Sequence, residues 1–274
     1  MTHFFRLSGG GNDFLALVEP AAEPEQKQIQ ALCRRGLSAG ADGLFILEKR
    51  PKAIGMRYFN ADGCRAELCL NGTRCAVRLA THLGWSAETV DIETDVGPIR
   101  GRVLDSGSIS VELPRPGTPR PQELEHDGQT YAGWQVTVGV PHFVLPWPVS
   151  LAEAPVGDLG PCLRRHQRWG DAGANIDFVR FLGNHRLEIR TFERGVEAET
   201  LACGSGVMAS TAAGLAAEAL HLPVRAQTLG GFELEVGVSD SDQRWTLMGD
   251  ARLIAEGTLH PGSLEVPAPP TWTQ

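Results

Sequence analysis

Two cysteines stand out by what surrounds them. Cys69 lies in Ala66-Glu67-Leu68-Cys69-Leu70-Asn71-Gly72-Thr73-Arg74-Cys75, and Cys203 lies in Glu199-Thr200-Leu201-Ala202-Cys203-Gly204-Ser205-Gly206-Val207-Met208. In both, the cysteine precedes a short polar residue, a glycine and a run suited to a helix, which predicts a thiol at a helix entrance, made twice. The first backbone N–H groups of a helix have no internal partner and, at the positive end of the macrodipole, attract anions. A thiol there ionises more easily than a free one, and the same N–H groups suit a carboxylate. Two such ends facing one substrate would supply one base and one acid to a carbon acid.

Other residues could join them. His142, in Gly139-Val140-Pro141-His142-Phe143, is placed by its proline at a strand edge, where its ring could exchange a proton with a thiol. Glu193-Arg194-Gly195 follows a strand and precedes the second cysteine; Arg194 could hold a carboxylate, and Glu193 could set the thiol's protonation. Asn12, Asn60 and Asn175 are loop asparagines able to bind the ends of a zwitterion. Each has a plainer reading: a cysteine as a small core residue, a structural histidine, a surface ion pair and turn-forming asparagines. The matched setting of the two cysteines favours chemistry for them. Cys33, Cys64, Cys75 and Cys162 lack such a match and read as ordinary thiols.

The elements that must position these groups recur along the chain. Gly40-Ala41-Asp42 with Phe45 matches Gly173-Ala174-Asn175 with Phe178, and Cys69 to Gly72 matches Cys203 to Gly206 at nearly the same offset. Phe14-Leu15-Ala16-Leu17 and Phe143-Val144-Leu145 sit near it too. The repetition predicts a duplicated α/β (α+β) unit, each copy a mostly antiparallel sheet around one apolar helix, at about 72–82 and 206–219. An amphipathic helix is expected over 23–35, closed by Gly36. The proline-dense segment 114–121 cannot join a ladder or a helix interior and marks the expected boundary between domains 1–117 and 118–262.

At 274 residues the chain can form two domains with their own cores. A net charge of −8 argues against nucleic acid or an anionic membrane as the main partner and favours a small molecule. No stretch reads as a leader or a membrane span, so a cytoplasmic protein is expected. The six cysteines show no C-x-x-C pair and no zinc spacing, which predicts free thiols and no metal. Lys27, Lys49 and Lys52 are the only lysines, and none has a setting suited to a pyridoxal Schiff base.

Gly11-Asn12-Asp13-Phe14, Phe59-Asn60-Ala61-Asp62-Gly63, Glu67-Leu68-Cys69 with Asn71-Gly72 and Arg74-Cys75, Pro141-His142, Gly173-Ala174-Asn175, Glu193-Arg194-Gly195 and Glu199 to Gly206 together resemble the diaminopimelate epimerase family. The resemblance implies a cofactor-independent enzyme with two pseudo-symmetric domains around a cleft, interconverting LL- and meso-diaminopimelate in lysine and peptidoglycan precursor synthesis. By motif position Cys69 and Cys203 would be base and acid, with His142 and Glu193 tuning them. Asn12, Asn60, Asn175 and Arg194 would recognise substrate, and the backbone N–H groups at Leu70-Asn71 and Gly204-Ser205 would bind its carboxylate. The family's tail, here 263–274, tends to return to the first domain, and a homodimer is compatible.

Two positions depart from that pattern: Leu70 replaces a usual glycine, and Val140 replaces an asparagine that helps bind the distal end of the substrate. They keep open a racemase acting on another amino acid, such as histidine, and a non-catalytic thiol sensor or ligand-binding homologue.

Overall fold

The computed structural model describes residues 2–239 and 244–265. The chain forms two compact units, one comprising Met1–Ile99 with the segment that begins at Ala251, the other Arg100–Asp250. The division therefore falls near residue 100 and the chain crosses back at 250, in place of the expected single boundary at 117. The reason is strand pairing between distant segments.

In the first unit β1 (Thr2–Gly9), β2 (Asn12–Val18), α1 (Gln26–Cys33), β3 (Gly43–Lys49), β4 (Ile54–Asn60), β5 (Arg65–Ala66), α2 (Leu70–His82) and β6 (Thr89–Thr94) follow in order. β1 pairs antiparallel with β2, β2 runs parallel to β3, β3 is antiparallel to β4, and β4 is antiparallel to β5 and parallel to β6. The unit boundary lies within β7 (Gly97–Val103), which leads to β8 (Ile109–Leu113).

The second unit continues with β9 (Arg120–His126), β10 (Gln129–Val138), β11 (Val140–Pro146), α3 (Val156–Arg164), β12 (Asn175–Phe181), β13 (Arg186–Glu193), β14 (Ala198–Thr200), α4 (Gly204–Ala216) and β15 (Val224–Thr228). Its pairings from β10 to β15 repeat those from β1 to β6 one for one. β16 (Glu233–Val238) and β17 (Trp245–Gly249) follow, and β17 pairs with β8. β18 (Arg252–Leu259) belongs to the first unit because it pairs with β1.

The duplicated strand–helix order makes physical sense of the burial. α2 carries Cys75, Ala76, Val77, Leu79 and Ala80 at 0% exposure and packs against β1, β2, β3, β4, β6 and β18. α4, with Val207, Met208, Ala209 and Ala213 at 0%, packs against β10, β11, β12, β13 and β16. A helix apolar on all sides is stable only when strands surround it. Both helices begin two residues before their expected starts, directly after the cysteines.

The proline-rich segment differs from expectation at its end. Pro121 lies in β9, opposite Trp134 of β10. β9 pairs only with β10 among the described residues, and a proline is accommodated on an edge strand because its missing N–H can face outward. The tail reaches the first unit, where Ser38 Oγ donates to the Ser263 carbonyl at 2.7 Å; residues 266–274 of the expected 263–274 segment lie outside the described residues. No helix among the described residues is long and apolar enough to cross a membrane.

Candidate active site

Cys69 and Cys203 are the N-cap residues of α2 and α4. Each has an extended backbone, with φ −134° and ψ 109° at Cys69 and φ −114° and ψ 108° at Cys203. Each sulfur accepts a helix N–H, from Gly72 at 3.5 Å and from Gly206 at 3.4 Å. The sulfur thus takes the place of the usual capping oxygen. Leu70-Asn71 and Gly204-Ser205 are the first two helical residues of their helices, where backbone N–H groups lack intrahelical acceptors.

The thiol in the second unit stands within a cluster of acidic and polar groups. Cys203 is buried, its sulfur 3.3 Å from Ser205 Oγ. Burial first, then the nearby Glu193 and Asp177 carboxylates, push this thiol well above the usual range. Glu193 is the last residue of β13; it accepts from Thr200 Oγ1 at 2.5 Å and exchanges a hydrogen bond with Cys203. Desolvation outweighs those bonds and the nearby His142, raising the Glu193 carboxyl above its ordinary value.

His142 lies inside the sheet rather than at a strand edge. β11 is paired on both sides, by β10 and β12, and His142 is 0% exposed. Its Nδ1 is 2.7 Å from Asp177 Oδ2, and its Nε2 is 3.5 Å from Asn175 Nδ2. The Asp177 carboxylate accepts at Nδ1 and so fixes the orientation of the ring. Asp177 also accepts from Thr191 Oγ1 at 2.8 Å. The hydrogen bonds of His142 run to Asp177 and Asn175, and within this unit Glu193 is the carboxyl that hydrogen-bonds the thiol.

Asp177 was not among the expected site residues. A signal was available: an acid inside the apolar run Ile176-Asp177-Phe178-Val179 must find buried partners or remain costly. Gly206 has a related constraint, since a Cβ there would stand 2.4 Å from Asp177 Oδ1. This glycine, in the first turn of α4, makes room for the carboxylate. Asn175 Oδ1 accepts from the Arg194 backbone N–H at 2.8 Å, so this asparagine shapes the turn that carries Arg194. The Arg194 side chain reaches the Ala172 carbonyl at 3.5 Å.

The first unit builds its site from amides and a guanidinium. Asn71 is 4% exposed; its Nδ2 donates to Asn12 Oδ1 at 2.8 Å, and its Oδ1 accepts from Arg74 Nη2 at 2.6 Å. Asn60 is half-exposed at the end of β4. A recess beside Cys69 is lined by Met56, Tyr58, Glu67 and Thr73.

The sequence profile of the Diaminopimelate epimerase family matches residues 4–116 and 134–254. The chain belongs to the diaminopimelate epimerase family. A diaminopimelate epimerase of Aquifex aeolicus is 34% identical, the match covering 96% of this chain and 99% of that one. Another, of Methanothrix thermoacetophila, is 37% identical over 93% and 95%. Among solved structures, a probable proline racemase of Agrobacterium radiobacter has a TM-score of 0.73 at 11% identity, covering 96% of each chain. A putative phenazine biosynthesis PhzC/PhzF protein of Clostridium difficile has a TM-score of 0.72 at 14% identity, covering 95% of this chain and all of that one. At such identities the likeness is one of fold.

Leu70, the departure from the family pattern after the first cysteine, has an ordinary place. It is the first residue of α2, has no positive φ and is 6% exposed. A side chain there imposes no backbone strain. Val140 is half-buried and opens β11 opposite Val138.

Proposed function

We propose that this chain is an epimerase that interconverts LL- and meso-diaminopimelate without pyridoxal phosphate, and that its two cysteines are the acid and the base. The observation that carries the reading is the repeated placement of a thiol as the cap of a buried helix, in a chain of this family.

In the proposed reaction one cysteine, as thiolate, takes the α-proton of the substrate. The opposite cysteine, as thiol, gives its proton to the other face of the same carbon. The proton count is unchanged, and the two sulfurs exchange roles for the reverse direction. Cys203, whose setting favours the protonated form, starts as the acid when Cys69 is the base. The helix N–H groups at Leu70-Asn71 and Gly204-Ser205 receive the α-carboxylate and the negative charge that develops as the proton leaves. Asn12, Asn60 and Arg194 contact the amino and carboxylate groups of substrate, while His142, Asp177 and Asn175 fix the surroundings of Glu193 and the second thiol. A reducing compartment such as the cytoplasm suits two working thiols.

The test is α-proton exchange in D₂O by NMR, on reduced protein without added cofactor, with LL-diaminopimelate beside L-histidine. Deuterium entering diaminopimelate as the meso form appears is the expected result. Cys69→Ala and Cys203→Ala should each lower epimerisation by about 10²-fold or more, the scale of a lost acid or base. Exchange confined to histidine would replace the substrate, and full activity in either alanine variant would remove the two-thiol mechanism.

A further inference from the structure

We infer that Arg74 is a positioning residue that fixes, through Asn71, the group which Asn12 offers to substrate; the inference rests on the reading of Asn12 as a substrate contact. Arg74 heads the fully buried side chains of the described residues by size and is 0% exposed. It stands on α2, one turn beyond Asn71.

From it runs a line of hydrogen bonds with a single direction. Arg74 Nη2 donates to Asn71 Oδ1 at 2.6 Å, Asn71 Nδ2 donates to Asn12 Oδ1 at 2.8 Å, and Asn12 Nδ2 donates to Asp42 Oδ2 at 3.1 Å. Asp42 also accepts from Arg35 at 2.7 Å and from the Asp13 backbone N–H at 3.1 Å.

The two ends of this line determine its middle. A guanidinium only donates, and a carboxylate engaged as here only accepts. An asparagine amide could otherwise be turned either way. Between such ends, both amides must present oxygen toward Arg74 and nitrogen toward Asp42; turning either one sets donor against donor or acceptor against acceptor. Gly10 reinforces the arrangement. It has φ +58°, and a Cβ there would lie 3.0 Å from Asn71 Oδ1, so its bare backbone packs over the amide.

The consequence concerns recognition. One N–H of the Asn12 amide is engaged by Asp42 and its oxygen accepts from Asn71, so the second N–H is the donor that the amide offers to a ligand. That donor matches a carboxylate oxygen and not an ammonium. Arg74, without touching substrate, thereby sets the direction in which Asn12 presents that donor. Among the described residues the second unit has no such line: Met208 occupies the position matching Arg74, and Ser205 the position matching Asn71.

The experiment reads the side-chain amide ¹⁵N–¹H resonances of the unligated full-length protein, with Asn12 assigned by its loss in Asn12→Ala, alongside steady-state kinetics. Arg74→Lys should move the Asn12 resonance and raise KM for diaminopimelate by about tenfold, the scale of a lost charge-assisted bond, with a smaller change in kcat. Combined with Asn12→Ala, it should cost no more in kcat/KM than Asn12→Ala alone. An unmoved resonance, or losses that multiply, would overturn the inference. If Arg74→Lys does not fold, Asn71→Asp takes its place, since an aspartate accepts from Arg74 and cannot donate to Asn12; an unmoved Asn12 resonance there is equally fatal. Turnover by the unsubstituted protein tests the epimerase reading separately, because the resonance shift needs no substrate.

Discussion

Cys69 and Cys203 cap matching helices at matching distances from a helix N–H, yet the groups around them differ in kind. The second thiol is buried beside Glu193, with the His142–Asp177 pair behind it. The first is half-exposed and adjoins the Arg74–Asn71–Asn12 line. Strand register identifies the counterparts: Leu15 lies opposite Leu44 in the first unit as Val144 lies opposite Asp177 in the second. Where one copy has Leu44 at 0% exposure, the other has a carboxylate. The backbone device of strand, cap and helix is therefore common to both copies, while protonation is tuned in one and amide orientation is fixed in the other. Duplication supplied the scaffold, and side chains divided the work.

The largest expected effect comes from erasing that difference. Asp177→Leu gives the second unit the residue the first has at Leu44 and removes the acceptor of both His142 Nδ1 and Thr191 Oγ1. Leaving a buried pair half-made should cost about 3 kcal/mol or more in urea unfolding, with loss of epimerisation. A cost below about 1 kcal/mol, the scale of an ordinary surface contact, would mean that the pair is dispensable and the two halves are less unlike than their geometry indicates.

A smaller effect separates the two helix glycines. At Gly72 a Cβ would meet Met56 and the Cys69 side chain at 3.5–3.6 Å, which is ordinary contact, but at Gly206 it would meet Asp177 at 2.4 Å. Alanine is the better helix former by up to about 1 kcal/mol. Gly72→Ala should therefore leave stability unchanged or slightly raised, while Gly206→Ala should lower it by about 1–3 kcal/mol through overpacking against the carboxylate. Thermal unfolding of both variants makes the check, and equal shifts would contradict the difference.

What could be read from the sequence follows the range of the interactions involved. The cysteine caps and the central helices are local patterns, and they stand where the pattern placed them within a few residues. Glu193 beside Cys203 was legible because both belong to short motifs around the same strand and helix. Asp177 signalled a buried acid, but its partners, His142 and Thr191, were hidden because they are brought together only by the pairing of β11, β12 and β13. The unit boundary was hidden for a like reason: β18 leaves the second unit to pair with β1, a contact spanning almost the whole chain. α3, with Gly157, Gly160 and Pro161 inside it, lacks the composition of a good helix. Its Gly160 is explained by tertiary packing, since a Cβ would come within 2.7 Å of Phe192.

The smallest effect sharpens the comparison where the two strands end. β4 closes on an amide, Asn60, and β13 on a carboxyl, Glu193. Burial, opposed by the Thr200 and Cys203 hydrogen bonds, raises the Glu193 carboxyl in the folded protein. An unfolded glutamate loses its proton near about pH 4.3. Below that value both states hold the proton and the shift has no effect on stability. As pH rises, the unfolded chain releases its proton first, so the folded state loses stability until Glu193 itself ionises. Glu193→Gln removes this titration. Its stability relative to the unsubstituted protein should accordingly climb as pH rises from about 4.3 and level off above the folded value, even as the variant loses the carboxyl beside Cys203 and with it activity. Unfolding measured across that range reads the slope directly. A relative stability that falls with pH would mean that Glu193 is held as a stabilised carboxylate, and that the second thiol is tuned by charge rather than by a shared proton.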